Sequence, residues 1–309
     1  MKEAHVANVT YTQLPKIPVL MDEYRNAVKD ILPVIGSNRK ALTSPTTAFE
    51  VKGVTIDVPR LAAYVKSTNL RLENNLPMTY PYVLSFPIVM KVLTAPDFPF
   101  GAVGAVHLTN VIEQTRPLTV DDELDIRVHA ENLREHTKGL LIDLITEISV
   151  DGEVVWRQTS GFLSKGAKLA SSSPLIGGAK TDGIILPITE LDDPRPSATL
   201  RVTPGQIKTY TEASGDKNPI HVSSAGAKAF GFPAVIAHGM WSAAAMLSTL
   251  EGQLPDAGRF TVQFAKPVTL PASIAVFNQR TADGGWDIQL RKASKLKTVH
   301  AIGKIENFS

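Results

Sequence analysis

Residues Tyr210 to Leu250 read YTEASGDKNPIHVSSAGAKAFGFPAVIAHGMWSAAAMLSTL. A carboxylate, an amide and two imidazoles stand close together here before the chain turns apolar. Ser214 to Pro219 is dense in turn formers, because Gly admits positive φ, Asp and Asn bond their own backbone, and Pro fixes φ. A loop is expected. His221 follows Asp216 at a spacing of five, so one ordered loop can bring a carboxylate and an imidazole into one pocket and manage a proton between them. Trp241 to Leu250 has helical composition, which places Gly239 near a first turn. Backbone N–H groups there, with the positive end of the helix dipole, suit a developing oxyanion.

Each residue also has a plainer reading. Asp216 alone is a turn or cap residue, and His238 alone is a core histidine, for which a structural role is favoured. Asp216, His221 and His238 lack the compact spacing of a metal-ligand set, so no metal is expected. His107, His129 and His136 fall on or between expected strands and read as surface or packing residues. A Gly-x-Ser-x-Gly elbow and a Gly-rich phosphate loop are both missing, which argues against a serine hydrolase and a nucleotide-binding protein. His221 together with His238-Gly239 tips the balance towards chemistry.

Tyr210, Ser214-Gly215-Asp216, Asn218-Pro219-Ile220-His221 and Ala237-His238-Gly239-Met240 resemble the signature of the MaoC-like, hydratase-2 family of (R)-specific enoyl-thioester hydratases and (3R)-hydroxyacyl-thioester dehydratases. The resemblance implies an α+β hotdog fold, a long helix wrapped by a curved antiparallel sheet. It implies reversible dehydration of acyl thioesters of coenzyme A or acyl carrier protein in fatty-acid metabolism, without a cofactor. Asp216 and His221 are the expected catalytic pair and Gly239 the oxyanion donor. Tyr210, Gly215, Asn218, Pro219 and His238 are expected to shape the site.

A chain of 309 residues, 43% hydrophobic, can bury a sizeable core and suggests two domains. Its net charge of +2, with both signs interspersed, argues against a nucleic-acid or membrane-surface protein. Cysteine is absent, which removes disulfides and thiolate chemistry. No apolar run reaches signal-peptide or membrane-span length, so a cytoplasmic location is expected.

A faint repeat divides the chain. Val58-Pro59 leads to Tyr64 much as Thr203-Pro204 leads to Tyr210, and Leu76 to Met90 stands where Phe232 to Met246 stands. Aligning Pro77 with Pro233 sets Tyr82 opposite His238 and Val83 opposite Gly239, while nothing like Gly-Asp-x-Asn-Pro-x-x-His separates Tyr64 from Leu76. Strands are expected at His107–Glu113, Glu123–Leu133, Leu140–Val150 and Glu153–Leu163, with an Asp151-Gly152 hairpin turn. They recur at Arg259–Phe264, Ser273–Arg280, Trp286–Arg291 and Thr298–Ile305.

The expected organisation is an N-terminal extension (1–50) with a helix from Val19 to Ile31, a degenerate N-terminal hotdog (51–165), a linker (166–186) and a catalytic C-terminal hotdog (187–309). Such a double hotdog is expected to be a monomeric pseudo-dimer or a homodimer, and the resemblance implies that its two sheets join edge to edge. Tyr82 and its Pro and Phe neighbours suggest a widened apolar tunnel for medium or long acyl chains. Two alternatives remain, a non-catalytic acyl-thioester-binding partner subunit and a hotdog thioesterase.

Overall fold

The computed structural model describes residues 9–29, 39–102, 104–191 and 193–308. Its first half contains β1 (Thr12–Leu14), α1 (Leu20–Lys29), β2 (Phe49–Val54), α2 (Val58–Thr68), α3 (Tyr80–Leu93), β3 (Ala105–Gln114), β4 (Leu124–His136), β5 (Gly139–Val150) and β6 (Glu153–Lys165). The second half contains β7 (Ala198–Val202), α4 (Pro204–Ser214), α5 (Pro219–Val222), α6 (Ser224–Ala229) and α7 (Gly239–Leu247). A short 3-10 turn then leads to β8 (Gly258–Phe264), β9 (Ala272–Arg280), β10 (Trp286–Lys292) and β11 (Lys295–Asn307).

The strands form one 11-stranded sheet in the order β1-β2-β4-β5-β6-β3-β8-β11-β10-β9-β7. Outward from the β3–β8 junction, β3-β6-β5-β4-β2 on one side matches β8-β11-β10-β9-β7 on the other. This is the double hotdog, and its halves meet through an antiparallel ladder running from Thr109↔Gln263 to Gln114↔Gly258. In β4 the alternation of Leu124, Ile126, Val128 and Ala130 turns one face into the core. Asp151 (φ 51°) and Gly152 (φ 83°) supply the two positive φ angles of a tight hairpin turn between β5 and β6.

Each half wraps a helix that is apolar nearly all round, as a helix buried on every side must be. Every residue of α3 except Lys91 is buried, and in α7 every residue from Met240 to Leu247 is buried. The two helix–sheet layers share one continuous apolar core.

Three details of the extension and the linker bear on function. The extension is part of the fold, since β1 pairs in parallel with β2 and α1 packs on α3. The expected helix runs from Leu20 to Lys29 instead of from Val19, and Ile31, like Ser37-Asn38, lies outside the described residues. Residues 166–186 are anchored to the first half: the Ala170 amide donates to the Ala41 carbonyl, the Thr137 amide to the Thr181 carbonyl, and the Thr181 amide to the Glu135 carbonyl.

Candidate active site

The loop after α4 brings the expected polar residues together. Gly215 ends α4 in the left-handed region (φ 77°), and its amide donates to the Thr211 carbonyl; a side chain there would be strained. Asp216 follows at once. The Asn218 amide donates to Oδ1 of Asp216 (3.2 Å), while the Asn218 side chain caps α5 by accepting from the Ile220 amide (3.3 Å). Pro219 occupies the first turn of α5, where the missing N–H is no loss. The short α5 carries His221 back over the carboxylate.

Hydrogen bonds define both imidazoles. Nδ1 of His221 lies 2.8 Å from the Ile236 carbonyl oxygen. A carbonyl can only accept, so Nδ1 bears the proton and Nε2 is left with its lone pair, ready to act as a base. Nε2 of His238 lies 3.0 Å from the Asp216 carbonyl oxygen and therefore donates. The two rings stack with centroids 3.7 Å apart. His238 is buried at the start of α7, 4.9 Å from the Tyr210 ring, and its side chain ties the Asp216 loop to that helix. A structural role is what this arrangement supplies. Asp216, His221 and His238 each offer a ligand-type atom within 4.8 Å of the others, and the Nε2 proton of His238 is already engaged by the Asp216 carbonyl.

The electrostatics fix the resting charges. Burial alone would raise the Asp216 carboxyl, but the facing His238 and His221, the Tyr24 hydroxyl and the Asn218 amide outweigh it and hold the group below its ordinary range. The two donated hydrogen bonds act even where both imidazoles are uncharged. Burial, reinforced by the neighbouring His221, pushes His238 down to about 3, against the pull of Asp216. Burial also lowers His221, opposed by Asp216 and the bond to Ile236. At neutral pH the site holds an ionised carboxylate beside two neutral imidazoles.

Gly239 opens α7, so its amide has no acceptor within the helix. The Phe264 ring covers it, and a Cβ at Gly239 would stand 3.3 Å from that ring. Phe264 continues into an aromatic wall: its centroid is 5.1 Å from His107, which stacks on Phe162 at 4.6 Å and lies 6.1 Å from Tyr82. Tyr82 packs in turn on Phe86 at 5.1 Å. The wall is built of aromatic rings from both units, Phe264 from β8 and the others from the first half. His107 is thus half-buried beside the site, and burial brings it down to about 4.

Besides Phe264, two contributors come from outside the stretch that the sequence singles out. His107 reaches the site on β3 of the first half, and Tyr24 arrives on α1, its hydroxyl donating to Oδ1 of Asp216. Each belongs to an unremarkable local pattern, and only the long-range fold gives it a partner.

Comparison with known proteins bears on the family and the fold. The family model described as MaoC like domain matches residues 189–301. The 3-hydroxyacyl-thioester dehydratase X of Mycobacterium tuberculosis is 45% identical over 251 residues, covering 81% of this chain and 86% of the relative. Its crystal structure, with 42% identity, superposes with a TM-score of 0.73 over 84% of this chain and 100% of the other. A MaoC-like dehydratase structure from Phytophthora capsici, 20% identical, shares the fold at a TM-score of 0.69 over 87% of this chain and 97% of that one. Identity at that level across most of both chains, together with the double hotdog, means that the chain belongs to the MaoC-like dehydratase family.

Proposed function

We infer that the protein dehydrates (3R)-hydroxyacyl thioesters reversibly to trans-2-enoyl thioesters in fatty-acid metabolism, using one site in the C-terminal unit. The observation that carries this reading is Asp216 next to a His221 whose Nδ1 is held by the Ile236 carbonyl and whose Nε2 is left with its lone pair, at the foot of the helix that starts with Gly239.

In the hydration direction, Asp216 and His221 hold a water between them and remove one of its protons as its oxygen bonds to Cβ. The electron pair of the double bond moves towards the thioester carbonyl, and the Gly239 N–H steadies the enolate oxygen. The pair then returns a proton to Cα, which regenerates the resting charges. Dehydration retraces these steps. Tyr210, Gly215, Asn218, Pro219 and His238 keep the loop in the shape that the pair requires. The organisation proposed with this mechanism is a non-catalytic unit at 51–165 and a catalytic unit at 187–309.

The aromatic wall suits a medium or long acyl chain, carried by coenzyme A or by acyl carrier protein. Among the described residues no helix is long and apolar enough to cross a membrane, and the cytoplasm is the proposed location. The test follows the enoyl-thioester absorbance with crotonyl and dodecenoyl thioesters on both carriers. Wild type is expected to bleach the band, favouring the longer chain, and Asp216→Asn to be about 10³-fold slower. Release of free thiol in place of hydration would reassign the protein as a thioesterase. Turnover of only the four-carbon substrate would overturn the chain-length reading.

A further inference from the structure

Helix α1 lies outside the span of the family model, yet it reaches the candidate site. Leu20, Glu23, Tyr24 and Ala27 recur at the spacing of one helical face. Leu20 and Ala27 are buried, and so is the charged Glu23, which accepts from the Thr94 hydroxyl (2.9 Å) and pairs with Lys91 (3.5 Å) at the end of α3. Leu20 also touches the other unit: a Cβ on Gly215 would meet its methyl at 3.3 Å. The helix is therefore seated through its first turn on α3 of the first unit and on the loop before Asp216 of the second. Tyr24 follows Glu23 on this face, and its hydroxyl donates to Oδ1 of Asp216.

We propose that Tyr24 is a positioning residue of the active site, which holds the Asp216 carboxylate in its working rotamer by a hydrogen bond donated across the two units. Oδ1 then receives two donors, the Tyr24 hydroxyl and the Asn218 amide, while Oδ2 is left facing the imidazoles, 3.7 Å from Nε2 of His238. One oxygen anchors and the other is free to work on water. Burial, then the adjacent carboxylate, drives the Tyr24 phenol well above its usual range, so it remains a donor across the working pH range. The other groups facing Asp216 are His221 and His238 from its own segment, Tyr82 from α3, Tyr210 from α4 and His107 from β3. On α2, Arg60 is directed to the Ala213 and Ser214 carbonyls. Among the described residues named here, Tyr24 is the side chain that donates to the Asp216 carboxylate.

This inference rests on the reading of Asp216 as the catalytic carboxylate, and Tyr24→Phe tests it, since the ring and its packing are kept. Two measurements are made together: kcat and KM for the enoyl thioester as a function of pH, and an infrared titration of the Asp216 carboxyl, with Asp216→Asn as the spectral blank. The hydroxyl favours the ionised carboxylate, so its removal is expected to move the carboxyl titration and the acid limb of kcat to higher pH. The kcat is expected to fall about tenfold with KM nearly unchanged. A carboxyl titration that stays in place overturns the proposal, whatever the rate. Wild type that fails to hydrate the thioester would reject the functional reading alone, because the infrared titration still decides whether Tyr24 controls Asp216.

Discussion

The starts of α3 and α7 occupy equivalent places in the two units. At α3, Thr79 accepts the Tyr64 hydroxyl (2.8 Å), and the first amide, of Tyr80, is already engaged by the Pro77 carbonyl (2.8 Å). At α7, Tyr210 sets its ring against His238, and the first residue is the bare Gly239. Tyr64 and Tyr210 nearly meet at the centre, 5.8 Å apart. The approach to each helix differs more. The first unit passes from the end of α2 at Thr68 to a bridge between Asn75 and Thr119, whereas the second runs from Ser214 to a bridge between Ile236 and Thr269. The extra chain is the segment that carries Asp216, Asn218 and His221. The scaffold is common to both units, and the loop proposed to carry the chemistry is present in only one of them, along with a helix start free of side chain.

The contrast can be broken most directly at His221. His221→Ala removes the unprotonated Nε2 and is expected to lower kcat about 10²-fold with little change in melting temperature. An active His221→Ala enzyme would mean that the loop is not what distinguishes the units.

Acid sharpens the comparison next. An unfolded histidine takes up a proton near pH 6.5, but in the fold His238 resists to about 3 and His107 to about 4. Between those limits the unfolded chain binds more protons, so stability is expected to fall as the pH drops from about 6.5, by about 1.4 kcal/mol per pH unit for each such histidine. Asp216, held low, loses its contribution only further down, as the pH falls through its folded value. Urea unfolding at pH 7 and pH 5 measures the slope, and a flat profile would contradict the buried neutral imidazoles.

The smallest effect is expected at the first unit's own cap. Thr79→Val leaves the buried Tyr64 hydroxyl without its acceptor and should lower stability by about 1–2 kcal/mol with kcat unchanged within about twofold. Loss of activity there would show that the first unit takes part in the chemistry.

The sequence made the scaffold legible because strand alternation and the Asp151-Gly152 turn are local signals. The expected strands in both units agree with β3–β6 and β8–β11 to within a few residues. The edge strands β1 and β7, with β2 beside β1, are not legible in the sequence, since they are short and partly exposed and lack a clean period. The repeat was visible, but pairing Pro77 with Pro233 misplaces the helix starts, and cap-to-cap matching sets Thr79 opposite His238. The loop's polar residues were legible because they share one short segment. Tyr24, His107 and Phe264 were not, because each joins the site from a distant element whose own pattern says only helix or strand.

The ladder between β3 and β8 has a consequence for how the chain is made. During synthesis from the N-terminus, β3 can pair with β6 while its outer edge, from Thr109 to Gln114, has no neighbour until Gly258 to Phe264 emerge. An unpaired edge invites association with other chains. Covalent tethering supplies the correct partner at an effective concentration that separate subunits would have to reach by their abundance. Ribosome-bound chains truncated before β8 should therefore self-associate, and completion of the second unit should end that hazard.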